Sequence, residues 1–436
     1  MMRSSTRIFL LSLLLTFLAG NKDTLCAQTL VNNGSFIVVE PGAYVVISDH
    51  YVNRNDGVDD GKVDLDGTMI LGRNWINTAN NSVITDIGSS PMGNVVMNGT
   101  LTQYIEGTHP THFENLTLRL SDKVLRITDC EVNGRLTLDA VLVLNSNKII
   151  MDNPSPDAIT YVSKYILSET LPDDGYGEVQ WNIGDHTLSY QVPFGSGLST
   201  VNDLNLTLTT TTPGDAAGAI SFATYPSGCH SVPYPHFVNF IDREPTYLAD
   251  RYWIIDPRFN LTKPNINITF RYTDQDLYPN CNTHLDEYKL KAMRYSTLKN
   301  MWTDMLPTGT AHPDNNLVQA SGIPAADFFA PWTLVNEEVD WEIFFPNAFT
   351  PNDDGLNDFF GPAGINFEEF TEFDLYIYNR WGQEIFHSTD PDVPWKGSVK
   401  NEGKVCQDGV YTWILFLTDR YGESFKKKGI VTLLGR

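Results

Sequence analysis

Short apolar runs separated by turn-forming residues set the pattern from Phe36 onward. Phe36–Val39, Ala43–Ile47, Val63–Leu71, Val95–Leu101 and Leu136–Leu144 are rich in β-branched and aliphatic side chains. Asn, Asp, Gly and Pro recur between them and break any long helical period, so the pattern predicts an all-β fold. Between residues 28 and 153 an Asn/Asp-Gly pair followed by a small or polar and then an apolar residue occurs at Asn33-Gly34-Ser35-Phe36, Asp66-Gly67-Thr68-Met69, Asn98-Gly99-Thr100-Leu101 and Asn133-Gly134-Arg135-Leu136. Those pairs tolerate positive φ and place tight turns, and their spacing of about 33 residues reads as a repeat. Two architectures fit: a parallel β-helix adding one coil per repeat, or an antiparallel meander. The run Leu136–Asn145 followed by Lys148-Ile149-Ile150, with Asn at the bends, favours the β-helix.

From 154 to 336 the strands take a sandwich-like form at Gly177–Ile183, Leu204–Thr210, Ile266–Tyr272 and Glu287–Tyr295. Strict alternation puts Ile266, Ile268 and Phe270 on one face of their strand. Phe194-Gly-Ser-Gly197, Arg251–Ile255 and Trp302 read as core and corner packing in preference to a sugar-binding platform. From 339 to 436, Phe373, Leu375 and Ile377 alternate with Asp374, Tyr376 and Tyr378. Asn379–Gly382 then turns the chain into Glu384–His387, and Gly409–Leu417 and Ile430–Leu434 supply further strands of a β-sandwich. The expected organisation is thus 28–153 repetitive and β-helix-like, 154–336 β-sandwich-like, and 339–436 a C-terminal β-sandwich.

Arg3 and Arg7 precede an apolar run from Ile8 to Ala19, and Leu25-Cys26-Ala27 offers cleavage before Gln28, so residues 1–27 read as a secretory signal peptide. Bulky Leu25 argues against lipidation at Cys26. No later apolar stretch has the length to span a bilayer, so no transmembrane segment is expected in the mature chain. The net charge of −23, from 53 acidic and 30 basic residues, would repel a phosphate backbone and argues against nucleic acid as a partner. Cys130, Cys229, Cys281 and Cys406 show no Cys-x-x-Cys spacing, which disfavours zinc; Cys229 with Cys281 is the one disulfide nominated for an oxidising compartment.

Candidate chemistry is sparse. No His-Glu-x-x-His, phosphate loop, dinucleotide fingerprint or nucleophile elbow occurs. Asp56, Asp59, Asp60, Asp64 and Asp66 crowd one loop, without the EF-hand register, and read as a solvated acidic loop in preference to a calcium site. His109 and His112 form the only close histidine pair; their spacing of three does not put both rings on one face of a strand, so they read as structural or exposed. Asn352–Asp358 packs oxygen-bearing side chains around Gly355, for Asx turns or for calcium. Lys426-Lys427-Lys428 stands out in an acidic protein, as a solvated stretch or as a contact for an acidic partner. No catalytic, cofactor-binding or metal residue is assigned.

The tail carries Phe345-Pro-Asn-Ala-Phe-Thr-Pro-Asn-Asp-Asp-Gly-Leu-Asn-Asp358, then Asn379-Arg380-Trp381-Gly382, Trp395-Lys396-Gly397 and Gly409-Val410-Tyr411. These runs, in this order, closely resemble the gliding motility-associated C-terminal domain, the type B sorting domain of type IX secretion. Asp353 stands where the family often has Gly. The resemblance covers about a fifth of the chain and implies an Ig-like β-sandwich and delivery to the outer surface of a diderm bacterium. Its implied partners are the type IX machinery and PorP/SprF-like outer-membrane shuttle proteins. The whole reads as an exported, non-enzymatic adhesion or surface-structural protein. The rivals are a polysaccharide-active enzyme with two facing carboxylates, and a carbohydrate-binding protein that contacts surface glycans through an exposed aromatic row drawn from Trp75, Trp181, Trp253 and Trp302.

Overall fold

The computed structural model describes residues 24–85, 92–169, 176–197, 201–228, 234–235, 238, 248–277, 285–296, 301–302, 308–329, 331–336, 343–362, 370–419 and 424–435. It divides into two compact units, 1–337 and 338–436. Among the described residues no helix is long and apolar enough to cross a membrane.

Unit 1 begins as a three-faced parallel β-solenoid. The first face stacks Tyr44–Ile47, Thr68–Leu71, Asn94–Met97, Asn115–Arg119, Leu136–Asp139 and Ile159–Tyr161. Thr24–Ala27, the end of the expected signal peptide, pairs in parallel with Tyr44–Ile47; residues 1–23 lie outside the described part. The second face runs from Leu30–Asn33 through Tyr51–Arg54 and Trp75–Asn77 to Ile166–Leu167. On the third, Phe36–Val39 pairs with Lys62–Leu65, and farther along Thr111–Phe113, Cys130–Val132, Lys148–Met151 and Glu178–Asn182 stack in parallel.

Strand pleating sends alternate side chains inward, and register then lines like with like. Val45, Met69, Val95, Leu116, Leu136 and Ile159 form one inward row, and Ile47, Leu71, Met97, Leu118 and Leu138 a second. All are buried, and each such side chain contributes about 1.5–3 kcal/mol relative to exposure. At the corner leaving the second face Asn32, Asn53 and Asn77 stack in register. Their amides satisfy the bends: Asn53 Nδ2 donates to the Gly61 carbonyl at 2.9 Å, and Asn77 Nδ2 to that of Asn81 at 2.7 Å. Gly107 takes the next rung at φ +148°, where a Cβ would lie 1.9 Å from the Asn77 carbonyl oxygen; no other residue fits there.

The coil period differs from the expected one. Tyr44 pairs with Thr68, Thr68 with Asn94, Leu116 with Leu136 and Leu136 with Ile159, so on the first face a coil takes 20 to 26 residues, not about 33. Asp66-Gly67 and Asn133-Gly134 lead into the first face, Asn98-Gly99 leaves it, and Asn33-Gly34 leaves the second. Every corner needs a tight turn; these pairs mark corners of different kinds and happen to fall at even spacing.

The last coil extends to Asn182, beyond the expected boundary at 153, and passes without a break into a sandwich. Glu178–Asn182 pairs on its far side, antiparallel, with Ala219–Pro226, and the sheet continues through Arg251–Arg258, Trp332–Asn336, Leu290–Ser296 and Met301–Trp302 to nine strands. A five-stranded sheet of Ser189–Val192, Leu206–Thr210, Ile266–Arg271, Leu317–Ile323 and Thr310–His312 faces the same core. Ile266, Ile268 and Phe270 point inward as their alternation predicts, with Phe270 against Trp253 and Trp332. At one edge of this core the buried Arg251 guanidinium bonds Glu169 and Asp276, both at 2.8 Å.

Unit 2 is one five-stranded sheet in the order Ala348–Phe349, Ser424–Leu433, Gly409–Asp419, Phe370–Tyr378, Glu384–Ser388. Phe373, Leu375, Ile377, Trp413, Leu415 and Leu417 form its buried face. Opposite them lie Phe345, Phe360 and Trp395, the last two joined by a backbone bridge, and Phe345 stacks on Trp413 at 3.8 Å between centroids.

Candidate functional sites

Most of the diagnostic tail residues build unit 2. The Asn352–Asp358 loop closes on the buried Asp358 carboxylate, which accepts from the backbone N–H of Asn352 (3.0 Å), Asp353 (2.8 Å) and Gly355 (2.7 Å). Asn352 Oδ1 and Asp354 Oδ1 each accept from the N–H two residues on. The loop's oxygens therefore make Asx turns, as one of the two sequence readings has it. Asp353 adopts φ +58°, the left-handed conformation that glycine enters freely, which explains the usual family residue there. Asp353→Gly is expected to raise stability by about 0.5–1 kcal/mol, read as a higher urea midpoint with unchanged slope.

Asn379 Oδ1 accepts from the N–H of Trp381 and of Gln383, both at 3.0 Å, while Gly382 turns the chain at φ +76°. Trp395 is fully buried and donates its Nε1–H to the Ser398 carbonyl at 2.9 Å. The Tyr411 hydroxyl reaches the Gln407 carbonyl at 2.7 Å. Trp381 is the exception: 81% of it is exposed at the hairpin tip, with the Arg380 guanidinium 5.2 Å from its ring. An exposed Trp beside an Arg is the composition of a binding contact, since both are enriched where interfaces hold most tightly. The outer sheet face adds Tyr376 stacked on His387 at 4.2 Å, and Lys426 Nζ 5.0 Å above Phe416. Lys426 and Lys428 are exposed and Lys427 is half-buried, so the basic run is split by strand alternation.

In unit 1 the acidic loop is organised by its own backbone. Asp56 Oδ1 accepts from the N–H of Val58 and Asp59 at 2.8 Å each, and Asp60 Oδ1 from Asn55 Nδ2 and Asn80 N. Those hydrogen bonds to the charged form hold both carboxyls below the usual range. Trp75, Trp181 and Trp253 are fully buried, so these three form no aromatic platform; the Trp302 side chain lies outside the described part. Cys229 and Cys281 also lie outside the described residues. Cys130 is a free thiol, and its complete burial raises its pKa. An open hollow of about 830 Å³ is lined by Asp203, Arg271, Asp274 and Asp314 among others. Asp203 there accepts from Ser196 N and Oγ at 2.8 Å, and Asp274 from Asn316 at 2.9 Å.

The histidine pair separates. His109 Nδ1 meets its neighbour Thr108 Oγ1 at 3.1 Å. On the third face of the solenoid His112 is in register with Glu131 and contacts its carboxylate. Asp152 joins them from the next rung, and the three donor atoms lie within 4.8 Å of one another. Partial burial raises the Glu131 carboxyl above its usual range; His112 opposes the shift, while Asp152 and Asp129 add to it. Proximity in the chain gives no sign of Glu131 and Asp152, because a coil separates each member of the cluster from the next.

The C-terminal runs have a counterpart among known families: residues 343–433 match the model of the CHU_C type IX secretion signal domain. No curated protein matches the chain.

Proposed function

From the premise that residues 343–433 are a type IX secretion signal domain and that the chain is exported by that route, we propose that unit 1 is a non-enzymatic adhesion or structural element displayed at the cell surface. The observation that carries this reading is the division of labour in the molecule. Unit 2 holds every run of the signal and leaves Trp381 exposed, while unit 1 buries Trp75, Trp181 and Trp253 in the core of a solenoid and sandwich. A PorP/SprF-like shuttle is the partner proposed for the Trp381 tip, and surface glycans are proposed for unit 1.

Transplantation tests the address. With residues 338–436 placed behind a leader-bearing reporter in a type IX-competent cell, the reporter should become protease-accessible outside intact cells; a reporter that stays protected overturns it. Sugar release from a polysaccharide, lost on Asp203→Asn or Asp274→Asn in the 830 Å³ hollow, would replace the adhesion reading with that of a polysaccharide-active enzyme.

A further inference from the structure

We propose that His112, Glu131 and Asp152, on the outward side of the solenoid's third face, bind one divalent transition-metal ion of the zinc class. The site is not a patch of acids: it combines an imidazole nitrogen with two carboxylates, delivered from two neighbouring strands and from the residue that follows a third. His112 and Glu131 are paired in register, Glu131 is paired with Ile150, and Asp152 lies two residues past Ile150 on the same side of the sheet. Parallel strands lie about 4.8 Å apart, so the ladder itself sets His112 beside Glu131, and Asp152 reaches them from the diagonal position just past its strand. Their atoms stand within 4.8 Å of one another. Ligand bonds of about 2.0–2.2 Å to a tetrahedral ion need separations near 3.4 Å, a spacing within the reach of the cluster.

Charge and orientation agree with a cation. Two carboxylates face a single imidazole, and Asp129, whose Oδ1 accepts from Lys148 N at 2.6 Å, adds a further negative charge nearby. Lys148 is itself paired with Glu178 at 3.0 Å. Asp152 is held from behind: Asn182 Nδ2 donates to Asp152 Oδ1 at 2.6 Å, and Gln180 Nε2 to Asn182 Oδ1 at 3.0 Å. Such outer-shell bonds orient a ligating carboxylate. The nitrogen donor and the small ligand number favour a zinc-like ion over calcium, which takes six to eight oxygens. All three residues are half-buried, and the solvent side is left for water.

The test is zinc chloride titrated into the full, metal-stripped chain, with uptake read by equilibrium dialysis and elemental analysis. The wild type should bind one equivalent that is weakened about tenfold or more in each of His112→Gln, Glu131→Gln and Asp152→Asn, with His109→Gln unchanged. The substituted side chains point away from the inward rows, so the metal-free variants should keep the wild-type circular dichroism and melting point, and any one that does is sufficient for the comparison. Cobalt(II) in the wild type should give visible bands that the same variants lose. Zinc uptake equal in the wild type and in all three variants overturns the site. So does an effect confined to His112→Gln, which would mark a lone surface histidine.

Discussion

Deleting Glu338–Arg436 is expected to abolish delivery to the cell surface while leaving unit 1 folded. The reasoning is structural on one side and functional on the other. The main core of unit 1, from Val39 to Leu334, is drawn wholly from residues before 337. Removing the tail takes away none of those core residues, and the thermal transition of unit 1 should not move. The signal runs, by contrast, all lie in the deleted segment, so the truncated chain should accumulate inside, protected from protease added to intact cells. Surface exposure equal to that of the full chain would show that residues 343–433 are dispensable for export.

Arg251→Ala should be among the most destabilising single substitutions in unit 1, at about 3–5 kcal/mol. Arg251 and Asp276 are buried with Glu169 half-buried beside them, and the guanidinium bonds both carboxylates at 2.8 Å and Thr224 Oγ1 at 3.2 Å. Asp276 also accepts from Thr273 N and Oγ1. Removing the cation strands the buried Asp276 charge away from water and takes the partner from half-buried Glu169. The loss should appear as a lower urea midpoint. A triple variant, Arg251→Met with Glu169→Gln and Asp276→Asn, should recover much of it, because the cost lies in the unpaired charges more than in the pair itself. An Arg251→Ala midpoint within experimental error of the wild type would mean that the network is solvated.

Much of this architecture was legible in the sequence wherever its cause is local. Alternation at Ile266, Ile268 and Phe270 reports a half-buried strand directly, and the buried rows confirm it. Asn at the solenoid bends is legible for the same reason: the amide satisfies backbone groups a few residues away. The coil period was not, because a tight turn is a property of a corner and a solenoid has several corners per coil. The His112, Glu131 and Asp152 cluster was illegible because register, not proximity in the chain, brings it together. The tryptophans show a further limit. Composition cannot distinguish a ring that covers a ligand from one that fills a core, and Trp75, with Tyr51 at 4.4 Å and Phe113 at 5.1 Å, fills a core.

A terminal parallel rung presents a row of unpaired backbone amides and carbonyls, a template on which a second chain could grow a fibre. On the third face Glu178–Asn182 would be such a rung, but Ala219–Pro226 occupies its far side in the opposite direction. The stack is thereby made finite on that face, and end-to-end polymerisation there is closed off by the fold itself.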